Sequence, residues 1–336
     1  MPRATEPSPQ VAIVVATHAR AHLLPRLVDA IERQEAPPRF ELVIVDDGST
    51  DNTWDTLQRL AASSAVPVRA VRMDRNRGPA TARNEGWRSS AADLIAFTDD
   101  DCAPEPGWLR ALTDGLGTAD VVQGRTVPDP DELSQEGPFS RSLSVGSEDG
   151  FYQTCNVAYR RATLESAGGF DPAFRFPAGE DTDLAWRARA KGATTGFRAD
   201  AVVRHTVRPS SWAAAARDTW RWQSVALAIS RNPRLRELIY RPHIWRKSHL
   251  LVAVAVVGVC AAAVTSALTP PLAAALAWVS GVVLCTPYAR YRTATHPLPT
   301  LGPRRRWLLL PATFALDACE VFACLVGSVR HRTFVL

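Results

Sequence analysis

The first two-fifths of the chain alternates short, wholly apolar runs with stretches in which apolar residues recur every three or four positions. This is the pattern of parallel strands buried on both faces and linked by amphipathic helices. Residues 11–16 (VAIVVA) read as a first strand, and residues 21–34 as a helix with Leu23, Leu24, Leu27, Val28 and Ile31 on one side. Strands follow at 41–45, 66–73 and 94–98, separated by helices at 52–60 and 78–92. Residues 128–150, rich in Pro, Asp, Glu, Ser and Gly, predict a mobile surface loop. Beyond it come a strand at 152–159, a short helix at 161–167 stopped by Gly168-Gly169, a helix at 180–191 ended by Gly192, and a last strand at 197–205. The prediction is an α/β domain over residues 10–206, Rossmann-like with a mostly parallel sheet flanked by helices, after a flexible N-terminus at 1–9.

The pattern then changes. Residues 207–248 mix Trp212, Trp220 and Trp222 with Arg217, Arg221, Arg231, Arg234 and Arg236. Such a mixture suits helices lying in a membrane interface, and equally an amphipathic helix packed on the domain. Residues 250–289 hold no charged side chain and carry Pro270-Pro271 at the midpoint. As helix this run is about 60 Å long, twice the roughly 30 Å of a bilayer core, so 249–289 predicts a transmembrane hairpin. A basic loop at 290–306 follows, with Arg290, Arg292, Arg304, Arg305 and Arg306. Arginines flank the hairpin and none lies in its turn, which places both flanks and the N-terminal domain in the cytoplasm of a multi-pass membrane protein. Residues 307–336 form a third hydrophobic segment and tail. Its 307–329 stretch is long enough to span, yet Asp317 and Glu320 share one face, each costing about 2.5–3.5 kcal/mol near the bilayer centre. They face the hairpin, or face the catalytic domain, or the segment lies flat; its topology stays open.

Composition narrows the class. With 46% hydrophobic and 22% charged residues the chain is neither disordered nor fibrous. The net charge is +5, and since Lys191 and Lys247 are the only lysines, arginine dominates the basic set. That suits phosphate binding or an anionic membrane surface without choosing between them. The six cysteines form no CxxC pair, so they read as reduced thiols in a cytosolic setting rather than as a zinc or redox site. The polar opening, with its three prolines, does not read as a secretory signal.

Acidic clusters fall at predicted strand ends, where ligands of such sheets bind. In Asp99-Asp100-Asp101, residues i and i+2 point the same way along an extended strand end. Asp99 and Asp101 can then make an oxygen-rich site for Mg²⁺ or Mn²⁺ bound to a diphosphate. Asp46-Asp47-Gly48-Ser49 follows another buried strand. Its carboxylates can accept hydrogen bonds from a base N–H or ribose hydroxyls, whereas capping of the next helix explains only one or two of these residues. Glu180-Asp181 at a helix start offers a general base, with Asp183 as a like charge able to raise its pKa; the other reading is that both simply favour the helix N-terminus.

Taken in order, these pieces resemble glycosyltransferase family 2, inverting enzymes with a GT-A nucleotide-sugar-binding fold. The matching elements are Val-Val-Ala-Thr17, Val-Asp46-Asp47-Gly-Ser-Thr-Asp51, Asn76-Arg-Gly78-Pro-Ala-Thr-Ala-Arg83-Asn84-Glu-Gly86, Asp99-Asp-Asp101, Asn156-Val-Ala-Tyr-Arg-Arg161, Gly168-Gly-Phe-Asp171, Gly179-Glu180-Asp181 and His205. The resemblance implies that Thr17 and Asp47 contact the nucleotide base or ribose, with Asp46 beside them, and that Arg83 lies near the base or phosphates. It implies that Asp99 and Asp101 form the metal-binding DxD element, with Asp101 the more direct ligand, and that His205 completes the metal or diphosphate site. It implies Asp181 as general base beside Glu180, and a sugar pocket around Asn156 and residues 168–171. The QxxRW element of processive synthases is missing; Asp183-Leu-Ala-Trp186-Arg187 stands there instead, which favours transfer of one sugar.

The expected function is therefore metal-dependent transfer, with inversion, of one sugar from a nucleotide-diphosphate sugar to a lipid-linked or cell-envelope glycan acceptor, with no nucleic-acid partner. Two alternatives stand beside it. A nucleotidyltransferase acting on sugar phosphates would be expected to carry a Gly-rich, Lys-containing phosphate loop, and residues 17–22 contain neither residue. A non-catalytic, membrane-tethered nucleotide-sugar-binding protein would not need every candidate acid.

Overall fold

A computed structural model describes residues 8–268, 270–295 and 302–336. Most of the N-terminal segment expected to be flexible, and the middle of the basic 290–306 loop, lie outside these residues. The chain forms two compact units: one from the described residues up to Gln135 together with Ser142–Arg208, the other from Glu136–Arg141 together with Pro209–Leu336.

The first unit is an eight-stranded mixed sheet in the order β3-β2-β1-β4-β7-β6-β8-β5. β1 (Val11–Thr17), β2 (Phe40–Asp46), β3 (Val68–Arg72) and β4 (Leu94–Thr98) run parallel. β1 and β2 are almost wholly buried, as continuous apolar runs require when both faces are covered, while edge strand β3 is only partly buried. Between them α1 (Leu24–Glu32) buries Leu24, Leu27, Val28 and Ile31. α2 (Thr53–Ser63) follows β2, and α3 (Pro79–Ser89) precedes β4. α3 packs so close to the sheet that a Cβ on Gly86 would fall 2.5 Å from Val14 Cγ1.

Beyond β4 the sheet becomes mixed in strand direction. β5 (Cys102–Pro104), α4 (Trp108–Gly115) and β6 (Val121–Pro128) come next in the chain. β7 (Asn156–Arg160) is antiparallel to β4 and β6, while β8 (Thr195–His205) lies parallel to β6 and antiparallel to β5. α5 (Arg161–Ala167) and α6 (Glu180–Ala190) fall where the periodicity places them. β5 and β6 were not expected: β5 has three residues, and β6 breaks its alternation at a register shift between Gly124 and Arg125. The strand expected from 152 begins only at Asn156, because Tyr152 has φ +51° and the chain is still turning there. The 128–150 segment is also less loose than its composition suggests. It contains a 3₁₀ turn at Pro130–Gln135, and Val145 exchanges backbone hydrogen bonds with Thr126 at 3.0 and 2.8 Å.

The second unit is helical. α7 (Trp212–Asp218) and α8 (Ser224–Arg231) are joined by a 3₁₀ turn over Thr219–Gln223. α9 (Lys247–Leu268) and α10 (Pro271–Ala294) form the expected hairpin, α10 starting at the second of the two prolines. The hairpin helices meet through small residues: a Cβ on Gly258 would lie 2.6 Å from Leu284 Cδ1. Val257, Leu268 and Leu272 on the outside are 67–78% exposed. α11 (Pro303–Leu308) and α12 (Leu310–His331) complete the unit. By length and composition α9, α10 and α12 could each cross a membrane. The two acids of α12 face the hairpin. Asp317 accepts from Tyr288 Oη (2.8 Å) and Arg292 Nε (2.7 Å), and Glu320 from Arg246 (2.8 Å), with His249 Nε2 at 3.2 Å.

Candidate active site

The acids singled out in the sequence gather at the C-terminal ends of β1, β2 and β4 and at the start of α6, and a few arginines knit them together. Asp47, just after β2, is buried; its Oδ1 accepts the Arg77 N–H and its Oδ2 the Gly78 N–H, both at 2.8 Å. Gly78 must be glycine here, since its φ is +90° and a Cβ would lie 2.8 Å from the Arg175 carbonyl oxygen. Asp47 thus fixes the start of α3, one turn before Arg83. Burial raises its carboxyl pKa, and the two N–H groups oppose that rise. Asp46 is fully buried and accepts the Ser49 N–H at 3.0 Å, closing the turn after β2.

Arg83 is the central tie. It is buried, and it donates to Asp99 Oδ1 at 2.8 Å and to Glu180 Oε1 at 2.9 Å, joining the end of β4 to the first turn of α6. Its guanidinium lies 5.8 Å from the Phe170 ring, which meets Phe97 edge-on at 5.2 Å. Burial disfavours the charge on Arg83, but Asp99 and Glu180 outweigh it and raise its pKa, so it stays cationic. Glu180 is buried with Oε2 unpaired, and burial raises its pKa against the pull of Arg83.

Asp181 stands next to it, with Oδ1 accepting the Thr182 N–H at 2.7 Å. Burial, and then the negative charge of Glu180, push its carboxyl up to about 7, with Arg83 pulling the other way. A carboxyl poised there can exchange a proton near neutral pH. Asp183 is fully buried and pairs with Arg187 at 2.7 Å, so it serves the α6 framework.

On the other side of the DxD run, Thr17 Oγ1 donates to Asp100 Oδ2 at 2.8 Å, and Arg20 donates to Asp100 Oδ1 at 2.6 Å and Asp101 Oδ2 at 3.3 Å. Asp101 also has Arg208 at 3.2 Å and His205 Nε2 at 3.6 Å. Burial works against its ionisation, but His205, Arg20 and Arg208 together overcome that and hold its carboxyl below the usual range. Ligand atoms of Asp101, Cys102 and His205 lie within 4.8 Å of one another. A carboxylate and an imidazole fit a divalent cation such as Mn²⁺. The thiol does not, because burial pushes Cys102 far above its ordinary pKa and keeps it protonated.

Asn156 opens β7, paired with Thr98 beside the DxD run. Its Oδ1 accepts from Trp108 Nε1 (2.8 Å), and its Nδ2 donates to the carbonyls of Arg125 (2.8 Å) and Ala201 (2.9 Å). These bonds tie β6, β7 and β8 together, so it shapes the sheet beside the site. Sequence reasoning missed Arg20, Arg208 and the structural role of Asp100. The signal was proximity: Arg20 lies three residues after Thr17, and Arg208 three after His205.

Comparison with known proteins gives the family and the fold. Residues 12–173 match the family described as Glycosyl transferase family 2, and residues 141–224 match Glycosyltransferase like family 2. Together these matches run from residue 12 to residue 224, more than half of the chain. The chain is 29% identical over 229 residues to validoxylamine A glucosyltransferase of Streptomyces hygroscopicus subsp. limoneus, covering 57% of this chain and 50% of that one. It is 28% identical over 243 residues to the pre-mycofactocin glycosyltransferase of Mycobacterium tuberculosis, covering 66% and 48%. The chain thus spans about half the length of these curated relatives. In fold it is similar to the mannosyltransferase PcManGT from Pyrobaculum calidifontis in complex with GDP-Man and Mn²⁺, with a TM-score of 0.60 and 21% identity over 94% of this chain and 87% of that one. With a GT-A-like sheet and the family's acidic elements joined at one edge of it, the chain belongs to glycosyltransferase family 2.

Proposed function

We propose that this chain transfers one sugar, with inversion, from a nucleotide-diphosphate sugar to a hydroxyl of a lipid-linked or cell-envelope glycan acceptor, working at the cytoplasmic face of a membrane. The observation that carries the reading is Asp181: a carboxyl raised to about 7 beside an Arg83 bridge that reaches Asp99 of the DxD run. A hydroxyl is a weak nucleophile, so a carboxylate that takes its proton as the new bond forms lowers the barrier. In this reading Asp181 is that base. Glu180, held by Arg83, keeps the base's pKa high through its negative charge.

The donor side follows from the same inventory. Asp47 keeps lone pairs beyond those used by Arg77 and Gly78, enough to accept from a nucleoside, with Thr17 beside it. A divalent cation held by Asp101 and His205 would supply Lewis-acid neutralisation of the diphosphate leaving group, while Asp99, the other acid of the DxD run, is held by Arg83. Arg20 and Arg208 add positive charge at that end of the site. The relative that binds GDP-Man with Mn²⁺ supports both the donor class and the metal.

Single transfer is supported by what stands in place of QxxRW. Trp186 Nε1 donates to the Gly150 carbonyl (2.9 Å), and Arg187 to Asp183 and to the carbonyls of Ala167 and Gly169. Both side chains serve the framework of α6. The arginines flanking the hairpin support the cytoplasmic orientation.

The test is a screen of nucleotide sugars with full-length protein in nanodiscs, reading metal-dependent thermal stabilisation and then release of nucleoside diphosphate in the presence of acceptor lipids. Release of pyrophosphate from nucleoside triphosphates would replace this reading with nucleotidyl transfer.

A further inference from the structure

α12 is long and apolar enough to cross a bilayer, yet its contacts run sideways. Near its start, Trp212 Nε1 of α7 donates to the Ala312 carbonyl at 2.9 Å. At its middle, the rings of Trp220 and Phe322 lie 6.3 Å apart. Towards its end, Arg330 donates to Gln223 Oε1 at 2.7 Å, and a Cβ on Gly327 would fall 2.2 Å from the Gln223 carbonyl oxygen. The helix therefore lies along residues 212–223, in the same direction, for nearly its whole length.

Among the described residues, its polar ties to the hairpin lie at the hairpin's feet. Glu320 pairs with Arg246 and His249, at the start of α9, and Asp317 with Tyr288 and Arg292, in the last two turns of α10. A third span beside the hairpin would cover its upper turns. Among the described residues these keep bare apolar side chains: Val264, Leu268, Leu272 and Leu276 are 60–78% exposed. A spanning α12 would also drag residues 212–223 with it, carrying Arg217, Asp218 and Arg221 to hydrocarbon depth at high cost.

We propose that α12 is not a third membrane span. It lies in the leaflet interface beside α7, so the chain crosses the bilayer twice, and the residues before α9 and after α10 share one side. The two helices make one docking surface whose occupant is the lipid leaflet itself. A cavity of about 630 Å³ opens between them, lined by Ala216, Arg217, Trp220, Cys319 and Phe322 among others. Leu325 and Val329 extend the exposed apolar face of α12, Val329 being 82% exposed. Apolar surface rimmed by tryptophan and arginine, continuous with an apolar hairpin long enough to span, fits acyl chains below and anionic headgroups above.

The test uses the full chain in a bacterial membrane and does not involve catalysis, so it stands or falls apart from the enzymatic reading. Green fluorescent protein and alkaline phosphatase are fused in turn before the N-terminus, at Pro270 and after Leu336. The N- and C-terminal fusions should report the same side and the Pro270 fusion the opposite one. A C-terminus opposite the N-terminus, or a Pro270 fusion on the N-terminal side, overturns the proposal. Separately, a bimane label on Val329→Cys, in a chain whose accessible Cys260, Cys285 and Cys319 are replaced by Ala, is reconstituted into vesicles with brominated acyl chains. Loss of its fluorescence relative to vesicles without bromine supports leaflet contact. Equal fluorescence in both, the signature of an aqueous helix, overturns it.

Discussion

The two units each bury acids against arginines, with opposite balances. In the site, the acids Asp99, Asp100, Asp101, Glu180 and Asp181 outnumber the arginines Arg20, Arg83 and Arg208 even with His205 alongside, and one Glu180 oxygen has no partner. At the hairpin's feet each acid is matched: Asp317 by Arg292, and Glu320 by Arg246 with His249 alongside. A surplus of buried negative charge is expensive to fold and persists where a cation or a proton is to be received. A closed set of pairs does nothing but hold helices in register. The contrast separates chemistry from scaffolding more cleanly than burial does, since each group mixes buried and half-buried acids.

Four experiments press on that contrast. The largest effect is expected from Asp181→Asn, which should lower kcat by about 10²–10⁴ while leaving donor affinity nearly unchanged, read by steady-state kinetics and donor titration. Retained turnover would return Asp181 to the framework. In the second unit, Asp317→Ala strands Arg292 and should cost about 3 kcal/mol of stability in a detergent unfolding series. Replacing Asp317 and Arg292 together by apolar residues should recover most of that loss, because nothing there depends on net charge. The pH profile comes third. A base must be ionised to act, so kcat/KM should be flat above pH 7 and fall about tenfold per unit below it, the acid limb reporting the raised carboxyl. The smallest effect is reserved for an ordinary exposed pair: Asp200→Ala, which frees Arg198 on β8, should change stability by less than about 1 kcal/mol.

What the sequence revealed and what it hid divide along physical lines. β1, β2 and β4 were legible because strands covered on both faces must be apolar throughout, and the acids at their ends stood out against that background. β6 was hidden because Gly124 and Arg125 interrupt its alternation at a bulge. Asp99, Asp101 and Asp181 could be singled out by type and place, but their cations could not. Arg83 reaches across 97 residues to Glu180, and Arg20 across 80 to Asp100, distances that no local periodicity encodes. Asn156 shows the reverse case. A polar residue inside a recognisable motif suggested a ligand contact, whereas its bonds run between strands. In the C-terminal region, hydropathy gave the length of α12 but not its direction, which depends on partners as distant as Trp212 and Arg292.

A single guanidinium that serves two carboxylates has a consequence for anyone dissecting the reaction. Cutting the Arg83 knot releases Asp99 and Glu180 at once, so one replacement there disturbs the end of β4 and the start of α6 together. Only a thermodynamic cycle pairing Arg83 with each acid in turn can apportion the damage.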